Sequence, residues 1–441
     1  MIDIRSFGAV GDGIADDTLA VRKALEETAG KDVLLISEGT YNVGPLDIPS
    51  HSRIEFKAGA VLSFTDDFGA YPAVEARWEG VDCFCMHALF RISDAEDIVI
   101  TGPGVLEGNG RKWWDYIYDR RATQKEPMTD IEKHFASLNP DYRNQPGGGG
   151  GRQCQFLRPP LLQLWKSKDV TIDGLALRNS PFWTLHPVYS SNLVFRNMSI
   201  INPYVTPNTD GMDIESCSSV LVEGCLVDVG DDGIALKSGS GESGVDAAVP
   251  CQDIRIVDST VKQAHGGFVI GSETAAGMRN VLVQRCRFLG TDRGIRIKTR
   301  RGRGGEICNI RVEDTYMEDV ISPITINMYY KWGSDDPRLY SLEKQEIDRM
   351  TPSIHHVEIK GVTARRCKAS AGFIVGLPEM PIHDVTIEDC DIEVDENPEK
   401  GLEVEMYKGI PDTDFRGIRL RNAEVSLSNI KVNCDPVSAV L

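Results

Sequence analysis

The sequence predicts an all-β fold: a single right-handed parallel β-helix, a solenoid of stacked coils, with an N-terminal capping helix. Three observations predict it. First, a short unit recurs: DIVI at Asp97, DVTI at Asp169, NLVF at Asn192, SVLV at Ser219, DIRI at Asp253, NVLV at Asn280, NIRV at Asn309, HVEI at His356 and DVTI at Asp384. From Asp169 onward the starts are 23, 27, 34, 27, 29, 47 and 28 residues apart, the period of a strand solenoid. Second, positions two and four are apolar throughout, from Val170 and Ile172 to Val385 and Ile387, so one face of each strand is buried. Third, a further alternating stretch follows in the central units: GMDIES, GIALKS, GFVIGS and GIRIKT. Its inward positions are Met212 and Ile214, Ile234 and Leu236, Phe268 and Ile270, Ile295 and Ile297, and its outward positions are mostly polar or small. Each coil pairs with the next, which leaves no internal sheet edge. An antiparallel β-sandwich, the competing architecture, rarely keeps columns so regular.

The elements follow in chain order as one domain, residues 1–441: N-terminal cap and first coils over 1–95, main solenoid over 96–425, C-terminal tail over 426–441. Asp16 to Lys31 carries apolar residues at helical spacing behind an Asp-Asp-Thr start, an N-cap signature. A helix there covers the open end of the solenoid. Two long spacings mark insertions, about Lys112 to Gln153, with five glycines at Gly147 to Gly151, and about Tyr330 to Pro352. Long loops on a rigid scaffold often wall a cleft.

The formal net charge of −18 argues against nucleic acid or an anionic membrane as partner. Locally the balance reverses, with Arg293, Arg296, Lys298, Arg300, Arg301 and Arg303 inside eleven residues. Arg300 to Arg303 reads as a solvated loop. Arg296 and Lys298 alternate with buried isoleucines, so the strand holds them pointing outward together. Cys225, Cys286 and Cys390 share the seventh position of their units with Leu175, Met198, Ser259, Thr315 and Val362, an interior column in which cysteine acts as a small hydrophobe. Eleven cysteines without an evident framework suit a reducing compartment. The opening MIDIRSFGAVGDG has no apolar leader pattern. The placement expected is cytoplasmic, or secreted or periplasmic if a leader has been removed. No cofactor and no metal is called for, and the oligomeric state is left open.

Four consecutive segments carry acid–base residues: PNTDG at 207–211, GDDG at 230–233, AHGG at 264–267 and GIRIK at 294–298. Aligned on their first buried residue, Asp210, Asp232, Gly266 and Arg293 share one register. Asp231 precedes Asp232 by one residue and leaves the turn in another direction, and His265 lies one coil on. Carboxylates this close cannot all ionise freely, so one becomes a proton donor while its neighbours stay bases. Glycoside hydrolysis needs that division of labour.

The order NTDG, GDDG, His-Gly, RIK resembles the pectin-degrading glycoside hydrolases of the polygalacturonase family, family 28. DIRSFGAVGDG, with the helix after it, is similar to that superfamily's N-terminal opening, and YPAVEARWEG, GVLEGNGRKWW and GLPEMPI are similar to the family's bacterial branch, exo-acting members included. The resemblance implies an inverting enzyme acting on galacturonan from a chain end, with Asp231 as general acid and Asp210 and Asp232 positioning and deprotonating the water. The acid and base of inverting enzymes sit roughly 6.5–9.5 Å apart. The resemblance further implies that His265 supports Asp231, that Arg296 and Lys298 clamp the sugar carboxylate, that Asn208 shapes the same subsite, and that Tyr330 lines the cleft, with Tyr329 the alternative register. Ala264 stands where many members have glycine. His186 reads as a packed turn residue. Two other readings stay open: a hydrolase of another uronate-containing glycan such as rhamnogalacturonan, and a non-catalytic glycan-binding β-helix.

Overall fold

A computed structural model describes residues 1–123, 126–146, 152–396 and 402–440, which leaves the glycine run Gly147 to Gly151 outside the described residues. The strands form an all-β right-handed parallel β-helix of three sheets with thirteen, twelve and thirteen strands. They group into two compact units: the first takes in Met1–Trp78, Asp82–Gln145 and the chain up to Asp231, the second Glu79–Val81 and the chain from Asp232 onward.

In the first unit the repeat columns run Ile98↔Val170↔Leu193↔Val220 across parallel neighbours. In the second they run Ile254↔Val281↔Ile310↔Val357↔Val385. These side chains are buried. Each contributes about 1.5–3 kcal/mol on leaving water, so columns of this length hold the coils together. The polar residue that opens each unit has a backbone cause. Asp97, Asp169, Asn192, Ser219, Asp253, Asn280, Asn309, His356 and Asp384 all adopt left-handed φ of 52–58°. Aspartate and asparagine tolerate that region better than most residues. Their side chains also ladder between coils: Asn192 donates to Asp169 at 2.9 Å and Asn280 to Asp253 at 2.9 Å. The seventh-position column is buried as expected, its cysteines included.

The helix Thr18–Thr28 buries Val21, Ala24 and Leu25 and packs on the strands Val33–Ile36, Gly39–Val43 and Leu46–Asp47. Asp17 does not cap it through its side chain. Its carboxylate instead accepts from the backbone N–H groups of Val10 and Gly11, at 2.7 and 3.0 Å, tying down the turn before the helix. The expected tail over 426–441 is also different: Lys431–Val432 and Ser438–Val440 are strands that pair in parallel with earlier coils. The first insertion folds as the helices Arg111–Thr123 and Asp130–Leu138, the second capped by reciprocal Thr129 and Glu132 contacts. Among the described residues no helix is long and apolar enough to cross a membrane.

Candidate active site

In the first unit, PNTDG is a loop entering the strand Met212–Glu215. Arg158, fully buried, organises it: the guanidinium donates to the carbonyl of Pro207 at 2.7 Å and to the Asn208 side-chain oxygen at 3.1 Å. Thr184 N–H donates to the carbonyl of Asp210 at 3.0 Å, so Asp210 is fixed to the neighbouring coil. A carboxylate oxygen of Asp210 lies within 4.8 Å of one of Asp231. Asp210 is buried and Asp231 part-exposed, so Asp231 is the more accessible of the two. Gly230 ahead of them has no room for a side chain: a Cβ there would lie 1.8 Å from the carbonyl of Tyr204.

In the second unit, Asp232 starts the strand Asp232–Lys237 and pairs with Gly266, which pairs with Arg293, the predicted register. The inward column Ile234↔Phe268↔Ile295 is also as predicted. The outward positions are not exposed. Arg296 and Lys298 are 1% and 5% accessible, and both are turned onto Asp232. Arg296 donates to one Asp232 oxygen at 2.8 Å and Lys298 to the other at 2.6 Å. Gly266 makes room for this, since a Cβ there would meet Arg296 Cδ at 3.0 Å.

The other half of the Arg296 fork is taken by Glu405, at 2.7 and 2.8 Å. Arg293 anchors the same segment through the carbonyls of Val404 and Glu403. Burial alone would raise the Asp232 carboxyl, but Lys298, Arg296 and Lys237 hold it far below the usual range. Burial likewise opposes ionisation of Glu405, and Arg296 with Arg293 overrides it, bringing it to about 2. Both groups are therefore fixed as anions, which rules Asp232 out as a proton donor.

Residues 146–409 match the family model described as Glycosyl hydrolases family 28. The chain belongs to that family. It is therefore a glycoside hydrolase. The family 28 chain is 26% identical over 401 residues to a probable polygalacturonase of Vitis vinifera, covering 88% of itself and 73% of that protein. It is 26% identical over 371 residues to an endo-polygalacturonase of Pectobacterium carotovorum subsp. carotovorum, covering 79% and 81%. Among solved structures it is similar to a hyperthermoactive exopolygalacturonase from Thermotoga maritima, with a TM-score of 0.80 and 28% identity, covering 98% of this chain and 91% of that one.

Of the sequence-predicted residues in this family 28 chain, Asp232, Arg296, Lys298 and Tyr330 converge. The Lys298 ammonium lies 5.1 Å from the Tyr330 ring centroid and the Arg296 guanidinium 5.9 Å. The Tyr329 ring centroid lies 5.7 Å from the Arg301 guanidinium instead. His265 precedes Gly266 as Asp231 precedes Asp232, is part-exposed, and has its Nε2 4.0 Å from Asp292. Arg300, Arg301 and Arg303 are buried rather than solvated. Arg301 pairs with Glu379 and Arg303 with Glu273. His186 is a packed residue, its Nε2 3.0 Å from Glu215 in an interior that also holds Arg77. Sequence reasoning missed Arg158 and Glu405. Both lie outside the repeat, so no periodicity marks them; only the single charge in the run FLRPP hints at a buried partner, and Glu405, with Glu403 two residues before it, carries no such signal.

Proposed function

We propose that this chain hydrolyses α-1,4-linked galacturonan, releasing sugar from a chain end. The observation that carries it is the Asp231–Asp232 pair in a family 28 chain. Adjacent residues have different environments, Asp232 buried and locked as an anion by Arg296 and Lys298, Asp231 part-exposed. Environments that push neighbouring carboxyls apart are how one site supplies both acid and base.

In this reading Asp231 protonates the glycosidic oxygen as the bond to the anomeric carbon breaks. Asp210 and Asp232 take the proton of the attacking water, whose hydroxyl goes to that carbon. His265 supports Asp231. Three of the five N–H groups of Arg296 and one of the three of Lys298 are engaged by Asp232 and Glu405. The remainder supply donors for a uronate carboxylate, with Asn208 and Tyr330 lining the subsite. The clamp role thus comes second to holding Asp232. End-wise action is supported by the similarity to the Thermotoga maritima exopolygalacturonase over 98% of this chain. The Pectobacterium relative is an endo-polygalacturonase, so the two modes are separated by experiment.

Inversion is the stereochemistry proposed. Inversion asks the acid and base carboxyl groups to stand roughly 6.5–9.5 Å apart and admit a water between them. A time course on defined oligogalacturonides tests both end-wise action and inversion. Early release of galacturonic acid alone, in the inverted anomer by proton NMR, is the expected result. Early mixed oligomers would replace end-wise with internal cleavage. A retained first-formed anomer would overturn inversion.

A further inference from the structure

Three of the chain's eight histidines, His355, His356 and His383, gather on the outward face of the first sheet in the second unit, away from the sheet that carries Asp232 and Arg296. Glu306 and Cys308 lie two residues apart on the strand Glu306–Glu313 and so face the same side. Cys308 pairs directly with His355 on the strand Ser353–Lys360, and His355 with His383 on Ile382–Glu388. One donor atom each from Glu306, Cys308 and His355 lie within 4.8 Å of one another. Nothing in the hydrolytic reaction uses this cluster.

We propose that Glu306, Cys308 and His355 form a divalent-metal site of the Zn2+ class. The donor set is the first argument. Thiolate, imidazole and carboxylate together suit a borderline-soft ion, whereas hard cations take oxygen sets. The spacing is the second. Ligands on a tetrahedron with bonds of about 2.0–2.3 Å stand about 3.5 Å apart, so side-chain rotation within this cluster reaches the geometry. Glu306 is already 3.0 Å from His355 Nε2. The third argument is the surroundings of His355. Its far nitrogen, Nδ1, lies 2.6 Å from His356 Nδ1, and the His383 ring stacks on its other side at 5.1 Å and 9°. A metal-binding histidine is held in orientation through its second nitrogen in this way. Arg279, the neighbour of Cys308 on the opposite flank, donates to Gln252 at 2.7 Å.

The site's role follows from where its ligands sit in the chain. Cys308 and His355 are 47 residues apart, across one of the two long spacings in the repeat. A metal bound across these paired strands favours the folded chain, which alone brings the ligands together, without touching the hydrolytic residues.

The test uses the full-length chain stripped with chelator and titrated with Zn2+ alone against a chromophoric competitor. One equivalent is expected to bind, with the thermal midpoint rising as Zn2+ is added and hydrolysis of galacturonan unchanged. Cys308→Ser and His355→Ala, checked for native circular dichroism, are each expected to weaken binding at least about tenfold. Co2+ in the unmodified chain is expected to give a thiolate charge-transfer band, a readout independent of any variant. Absence of that band, or Zn2+ affinity equal in the chain and both variants, would mean adventitious surface binding and overturn the proposal.

Discussion

Within the second unit, the outward faces of the first and second sheets are written in the same alternating code and behave differently. On the first sheet, outward residues such as Arg255 in Cys251–Val257 and Leu282 and Gln284 in Met278–Gln284 stay at least part-exposed. In the turns that directly follow these strands an ion pair sits in water: Arg285 and Asp258 meet at 2.8 Å with about half of each side chain accessible. On the second sheet, every residue of Asp232–Lys237 and Arg293–Lys298 is buried, and the pair Arg296–Asp232 also meets at 2.8 Å with 1% and 2% accessible. Distance does not separate the two pairs; the covering segment does. Tyr330 and the stretch around Glu405 lie over Arg296 and Lys298, so charges that would be screened become fixed. A repeat builds equivalent faces, and the non-repeating chain laid on one of them turns it into a site.

That contrast can be broken by mutation. Asp232→Asn is expected to lower the hydrolysis rate by about 10²–10⁴-fold and to destabilise the fold by about 3–5 kcal/mol, since Arg296 and Lys298 lose their buried partner. Arg285→Ala, at equal distance from its aspartate, is expected to cost at most about 1 kcal/mol. Denaturant melts of both variants check this, and equal losses would remove covering as the cause. Glu405→Gln is the next largest, at about 1.5–3 kcal/mol for a lost charged hydrogen bond. It is expected to lower kcat more than it raises KM, because Arg296 then holds Asp232 less firmly. Lys298→Ala sharpens the question of a sugar clamp: binding of galacturonate is expected to weaken more than that of a neutral sugar, by about 1.5–3 kcal/mol. Equal loss for both ligands would leave Lys298 with Asp232 alone.

Acid provides a smaller but graded probe. Asp232, Glu405 and Glu273 are all held below their unfolded values, near 3.9 for aspartate and 4.3 for glutamate. A depressed folded value means stability fully present above the unfolded pKa and lost as pH falls through the folded one. Unfolding free energy is therefore expected to stay level from pH 7 to about pH 5, then to decline towards pH 2. Glu405→Gln should flatten part of that decline, which denaturant titrations at stepped pH would show.

Much of this was legible in the sequence because a solenoid repeats its own instructions. The columns at Val281, Ile310 and Val357 gave the strands and their register, and the left-handed residues that open each unit explain why Asp and Asn recur there. The register placing Asp232 beside Gly266 and Gly266 beside Arg293 followed from the same alignment. What escaped is whatever the repeat does not encode. Arg296 and Lys298 read as outward residues, and nothing local says that Glu405, 109 residues later, returns to bury them. Arg300 to Arg303 looked solvated for the same reason: their partners Glu379 and Glu273 lie on other coils. Asp17 read as a helix cap because its spacing fits one, while its carboxylate finds two backbone donors behind it instead.

The most direct measurement compares the unmodified chain with Asp231→Asn on oligogalacturonides, following saturated galacturonic acid while circular dichroism tracks the fold. Rapid release by the former and loss of at least about 10²-fold in a natively folded variant is the predicted result. Near-full activity in the variant, or an unsaturated product absorbing in the ultraviolet, would contradict the account.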